Sequence, residues 1–149
     1  MEAVILVGIQ AAGKSTFYRE RFFQTHLRIS LDLLRTRHRE RALLAWCLSH
    51  GQRFVVDNTN IAAVERAVYI ASARVAGFRV VGYVFEADVP ASITRNAGRA
   101  QAEQVPAKAI GGTKKRLEWP QRGEGFDELH EVRVDPAGGF IVEEWRDAV

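Results

Sequence analysis

The stretch Gly8-Ile9-Gln10-Ala11-Ala12-Gly13-Lys14-Ser15 matches the spacing Gly-x-x-x-x-Gly-Lys-Ser/Thr in full. Glycines at the two ends let the main chain wrap closely around an anion, with successive N–H groups turned inward. Lys14 supplies a point charge for β- and γ-phosphates, and the Ser15 hydroxyl is a ligand suited to Mg2+. A helix starting near Lys14 adds its positive end to the same place. Gln10, Ala11 and Ala12 make the wall of the loop. Thr16 can contact an α-phosphate or simply occupy the helix interior. Together these residue types can bind a nucleoside triphosphate.

Three further groups could act on such a ligand. Asp32 can cap a helix, or it can accept the proton of an attacking hydroxyl. Arg35 would share a helix face with Asp32 if a helix began there, and could then hold an anionic part of an acceptor. It could equally be one solvated arginine among many. Asp57, in Asp57-Asn58-Thr59-Asn60, closes an apolar run, where ligands gather at the carboxyl ends of parallel strands. There it could meet a Mg2+ water or an arginine of the acceptor site. Arg95 and Arg99 stand one helical turn apart and can clamp a triphosphate while charge develops during transfer. A solvated basic helix would explain them as well.

The elements that must position these groups alternate. Residues 3–9 are an unbroken apolar run, as in a parallel strand covered on both faces. A loop over 8–13 leads into a helix over 14–23 and a short strand over 27–30. Asp32 opens one long helical pattern through residue 49, stopped by Gly51. A strand over 53–57, a helix over 61–76 and a strand over 78–86 follow. Short helices are expected at 90–96 and from Pro106 to residue 118, then a loop over 119–125. Two strands, 128–134 and 139–145, close the pattern around a turn. This order predicts α/β architecture: a mainly parallel central sheet with helices on both faces, in one domain spanning 1–149.

Composition narrows the class. The 149 residues are 47% apolar and 26% charged, with a net charge of +3, which suits a soluble domain with a mild bias toward phosphate-rich partners. No stretch is long enough to span a membrane, so no membrane partner is expected. One cysteine, Cys47, cannot form an internal disulfide, and a cytoplasmic location is the expectation. No Asn-Lys-x-Asp guanine motif occurs, so ATP is the expected donor, with GTP also able to serve. No feature encodes an oligomeric state.

With those residues in place, most of the chain resembles the kinase domain of the polynucleotide 5′-hydroxyl kinase family. The resemblance rests on residues 8–16, Asp32 with Arg35, Asp57-Asn58-Thr59-Asn60, and Arg95-Asn96-Ala97-Gly98-Arg99 followed by Val105-Pro106. The segment from Pro120 to Glu128 is also similar to the end of the animal members' kinase domain. The resemblance implies a three-layer P-loop NTPase fold of the adenylate-kinase-like type, Mg2+ as cofactor, and nucleic acid 5′-OH ends as acceptor, with a role in nucleic acid repair. It implies Lys14, Asp32 and Arg99 as catalytic residues, Asp32 being the general base. Arg35 would grip the acceptor's adjacent 3′-phosphate, with Asp57 supporting that site. Arg95 and Arg99 would belong to a lid around 89–118 over the donor phosphates. Two departures stand out. The span from Asp32 to Asp57 is shorter than in the viral members, and no Asp-x-Asp-Gly-Thr phosphatase motif occurs. A small-molecule kinase of the same fold, acting on a nucleoside, sugar or antibiotic, and a nucleotide-binding switch are the alternatives.

Overall fold

The run of apolar residues in β1 (Glu2–Val7) has no polar break because both of its faces are covered. Ala3, Ile5 and Val7 enter one buried cluster, whereas Val4 and Leu6 enter another. The computed structural model describes residues 1–147. Around β1, β2 (Leu27–Ile29), β3 (Phe54–Asp57), β4 (Arg79–Phe85), β5 (Glu128–Val134) and β6 (Phe140–Glu144) form a six-stranded sheet in the order β2-β3-β1-β4-β5-β6. The first five are mutually parallel, and β6 returns antiparallel along β5.

Helices α3 (Arg37–His50) and α4 (Ala63–Val75) cover one face through Leu44, Cys47, Tyr69, Ile70 and Ala73. Burial pushes the Cys47 thiol up to about 11, so it packs as an inert apolar group. Helices α1 (Lys14–Arg21) and α6 (Ala107–Arg116) cover the other face through Phe17, Tyr18 and Ile110. This is the α/β P-loop NTPase fold, a three-layer arrangement with the mainly parallel sheet expected. No helix among the described residues is long and apolar enough to cross a membrane.

One expectation is corrected. The pattern from Asp32 to residue 49 is two helices, because α2 (Leu31–Leu34) ends at Arg35, whose φ is 74°. Thr36 then caps α3, its hydroxyl accepting from the Arg39 N–H at 3.2 Å. A threonine cap of this kind satisfies an otherwise orphaned helix donor. Asp32 and Arg35 therefore do not share a helix face: Arg35 lies just past the end of α2.

The loop expected at 119–125 contains a 3-10 turn, Arg122–Glu124, held from below by Arg66. Arg66 is fully buried, donates to both Glu124 carboxylate oxygens at 2.8 and 3.1 Å, and donates to the Asn60 carbonyl at 2.8 Å. Removing one partner of a buried pair strands the other. Arg66→Met is therefore expected to lower unfolding free energy by about 3–5 kcal/mol, read as a fall in the urea midpoint. An unchanged midpoint would mean that Arg66 does not hold this corner together.

Candidate active site

The turn after β1 is forced on the chain by close approach. The Gly8 N–H donates to the Thr59 carbonyl at 3.0 Å, and a Cβ on Gly8 would lie 2.9 Å from the Phe85 Cβ. Ala11 (φ 57°) and Gly13 (φ 103°) take left-handed conformations that curl the loop. The N–H groups of Gly13, Lys14 and Ser15 open α1 and have no intrahelical partner. Among the described residues they meet no other backbone acceptor. Lys14 reaches back across the loop, its Nζ donating to the carbonyls of Gly8 (2.9 Å) and Ile9 (2.6 Å). Among the described residues the Gln10 side-chain oxygen is buried without a partner, an arrangement costing roughly 1–3 kcal/mol and suited to a loop completed by a ligand.

Asp57 stands at the end of β3 in register with Leu6 of β1. Its Oδ2 accepts from the Ser15 hydroxyl at 2.9 Å and from Arg28 Nε at 2.8 Å. Hydroxyl and carboxylate oxygens are the hard ligands Mg2+ prefers, so Ser15 and Asp57 fit that ion. Asp57 thus makes its hydrogen bonds to the phosphate loop and to β2, and none to Arg35 among the described residues. Asn60, at φ 49°, donates its amide to the Leu6 carbonyl at 2.8 Å and ties the turn after β3 to β1.

Asp32 is exposed on α2, which is bolted in place from behind. The Leu31 N–H donates to the Asn58 side-chain oxygen, and the Asn58 amide donates to Glu40, both at 2.9 Å. Glu40 is only 2% exposed and also accepts from the Tyr69 hydroxyl (2.6 Å) and Arg37 (3.0 Å). Burial, then the Glu40 carboxylate, pushes the Tyr69 hydroxyl up to about 12, so it stays a donor. Arg35 is exposed beside this assembly.

From the other side, α5 (Val89–Ala97) approaches the loop. Arg95 donates its Nε–H to the Ala11 carbonyl at 2.6 Å. The Asn96 amide pairs with the backbone of Val105 in both directions, at 2.6 and 3.0 Å, and so gathers in the exposed connection that carries Arg99. Beyond that connection, α6 sinks Ile110 fully into the core. A cavity of about 250 Å3 opens beside the loop, and Ala12, Glu86, Asp88, Ala91, Arg95 and Pro136 are among the residues that line it.

These groups act on one another. Burial lowers the Lys14 ammonium from its ordinary 10.5 to about 8. The charges of Asp57 and Asp32 oppose that shift, and Arg99 adds to it. Lys14, Asp32, Asp57 and Arg99 therefore share one electrostatic neighbourhood. Sequence reasoning passed over Arg28, which lies on a three-residue strand with no motif around it, and Glu40, whose burial no local pattern announces. Asn58 stands in the segment Asp57-Asn58-Thr59-Asn60, but nothing in that spacing announces that its side chain holds α2 and Glu40.

Comparison with known proteins agrees with this architecture. Residues 35–120 match the AAA domain family, a match that starts beyond the phosphate loop. The chain is 27% identical over 135 residues to the bifunctional polynucleotide phosphatase/kinase of Schizosaccharomyces pombe, covering 88% of this chain. It spans about a third of that protein's length, 33%. Its fold is similar to that of Kti12 from Chaetomium thermophilum, solved in complex with ADP-AlF3 (17% identity, TM-score 0.67, 91% of this chain and 92% of that one). It is also similar to a gluconokinase from Sinorhizobium meliloti (16% identity, TM-score 0.59, 87% and 82%). Likeness at such identities speaks to the fold alone.

The lowered Lys14 value has two consequences of definite sign. Between pH 8 and 10.5 the unfolded chain keeps a Lys14 proton that the folded chain has released, so this group's contribution to stability rises with pH across that window. Phosphates placed beside the ammonium raise its pKa again. Binding of a nucleoside triphosphate near pH 8.5 is therefore expected to take up most of one proton, and near pH 7 very little. Calorimetry in two buffers of different ionisation enthalpy measures this; enthalpies independent of buffer at pH 8.5 would contradict a lowered Lys14.

Proposed function

We propose that this chain, which belongs to the AAA domain family, is an ATP-dependent kinase that transfers the γ-phosphoryl group to the 5′-hydroxyl end of DNA or RNA. The observation that carries the proposal is the pairing of a phosphate loop with an exposed carboxylate, Asp32, on a helix that Asn58 ties to the strand end beside that loop. A nucleotide-binding switch has no need of a base presented to an acceptor. Similarity to a polynucleotide phosphatase/kinase over 88% of the chain supports the nucleic-acid acceptor.

In this mechanism the loop N–H groups and Lys14 hold the donor phosphates, with the Lys14 Nζ leaving the Gly8 and Ile9 carbonyls to meet them. The remaining loop residues, Gln10, Ala11, Ala12 and Thr16, shape the pocket for the same chain of phosphates. Ser15 and Asp57 would hold Mg2+, which supplies charge neutralisation across the β- and γ-phosphates when bound. The donor base fits the cavity beside Ala12 and Arg95, where Glu86 and Asp88 can accept from an exocyclic amino group. Asp32 takes the proton of the 5′-hydroxyl as its oxygen attacks the γ-phosphorus in line, and the bond to the bridging oxygen of the leaving diphosphate breaks. Arg95 and Arg99 face the charge that builds on the transferred group. Arg35, set beyond the end of α2 by its positive φ, is free to reach the acceptor's adjacent 3′-phosphate. Transfer of this kind depends on positioning and electrostatics rather than covalent chemistry.

Labelled ATP and a 5′-OH oligonucleotide test the acceptor directly, and label at the 5′ end is expected. Transfer to gluconate or another small alcohol, with none to DNA or RNA, would assign a small-molecule kinase instead. Asp32→Asn is expected to lower kcat by about 10²–10⁴-fold while triphosphate affinity holds. Arg35→Ala should raise KM for 3′-phosphorylated acceptors far more than for bare ones, and equal losses on both would remove the phosphate clamp from the mechanism.

A further inference from the structure

Arg28 belongs to none of the motifs above, yet it touches two side chains of the phosphate site. Its Nε–H donates to Asp57 Oδ2 at 2.8 Å and its Nη2–H to Ser15 Oγ at 3.2 Å, while the Ser15 hydroxyl donates to the same Oδ2 at 2.9 Å. The Arg28 side chain is 27% exposed and that of Asp57 only 3%. We infer that Arg28 is an internal counter-ion of the metal position, which neutralises Asp57 in the free protein and must release Ser15 and Asp57 before a divalent cation can bind them. This rests on the proposed roles of Ser15 and Asp57 at the metal.

The case is one of shared lone pairs. A serine hydroxyl has one hydrogen and two lone pairs. The Ser15 hydrogen is committed to Asp57, and a lone pair is committed to Arg28. Asp57 Oδ2 already accepts from two donors. A divalent cation held between Ser15 Oγ and Asp57 Oδ2 would use those same lone pairs, and its charge would repel a guanidinium at contact distance. Both cations cannot use the pair of oxygens at full strength. A carboxylate as buried as Asp57 needs a cationic partner at all times. Arg28 is a suitable standing partner because its charge is permanent and its fork spans both oxygens.

The consequence is selectivity for the metal–nucleotide complex over the metal alone. A free cation must displace Arg28 using only two protein oxygens. A cation arriving with a triphosphate brings phosphate oxygens to complete its coordination and further negative charge to offset the loss. Arg28 also sits on β2, with only Ile29 between it and the Ser30-Leu31-Asp32 segment, so it yields at the strand that leads to the proposed base.

The test is Mn2+ binding followed by electron paramagnetic resonance of the free ion, without and with ATP. Wild-type protein is expected to bind Mn2+ with ATP and to bind Mn2+ alone at least tenfold more weakly than Arg28→Gln does. Adding Ser15→Ala to Arg28→Gln should abolish that gain. If wild type binds ATP but the protein–ATP complex holds Mn2+ no more tightly than ATP alone does, the metal assignment of Ser15 and Asp57 fails, and the inference with it. If wild type binds Mn2+ with ATP but Arg28→Gln binds Mn2+ alone no more tightly, the role of Arg28 alone is overturned. Should Arg28→Gln not fold, the Arg28 Nε–H resonance of wild type decides. It should move toward the free-arginine position when Mg2+ is added to the ATP complex, and an unmoved resonance overturns the inference.

Discussion

Two hydrogen bonds tie the end of β1 and the turn that follows it to the turn after β3: Gly8 N–H to the Thr59 carbonyl, and the Asn60 amide to the Leu6 carbonyl. With those turns fixed together, Ser15 at the start of α1 falls within reach of Asp57 at the end of β3. The same junction receives Arg66 from α4, which passes the restraint on to Glu124 near the end of the helical half of the chain. Asn58, between Asp57 and Thr59, turns the other way and holds α2. One short polar segment thus sets the distance between the phosphate loop and the exposed carboxylate across from it.

The apolar and polar parts of the molecule divide the work. Along the body of the sheet, alternate residues of β1 feed two separate clusters, and neither needs a polar group. At the carboxyl end of the strands the pattern reverses. Lys14, Asp57, Asn60, Arg66 and Glu40 are all buried there, and each is hydrogen-bonded. Buried charges are tolerated only when paired or bonded, and at this end they fall into several small polar networks joined through the main chain. Such networks restrain position without requiring bulk, which leaves room for a ligand.

Much of this was legible from residue types alone. The phosphate loop carries its signal in consecutive residues, and the strand over 128–134 appears with the bounds expected for it. The break at Arg35 was not anticipated, because Thr36 looks like any polar residue in a helical pattern until its hydroxyl is seen to cap α3. Arg28 and Glu40 were illegible for another reason. What each does depends on partners 29 and 18 residues away in the chain, Asp57 and Asn58, and no local spacing encodes that. Asn96 is intermediate, since it stood in a segment already noted for its arginines while its own task is to bond Val105.

Phe140, on the last strand, lies against the phosphate loop. A Cβ on Gly13 would come within 3.1 Å of its ring, and the ring also meets Phe17 edge-on with centroids 5.2 Å apart. A loop encoded near the beginning of the chain is therefore braced by a residue encoded near its end. The shape of the phosphate loop thus depends on a side chain far along the chain, and a change in the hairpin of β5 and β6 reaches the loop through the Phe140 ring without touching any residue of the motif.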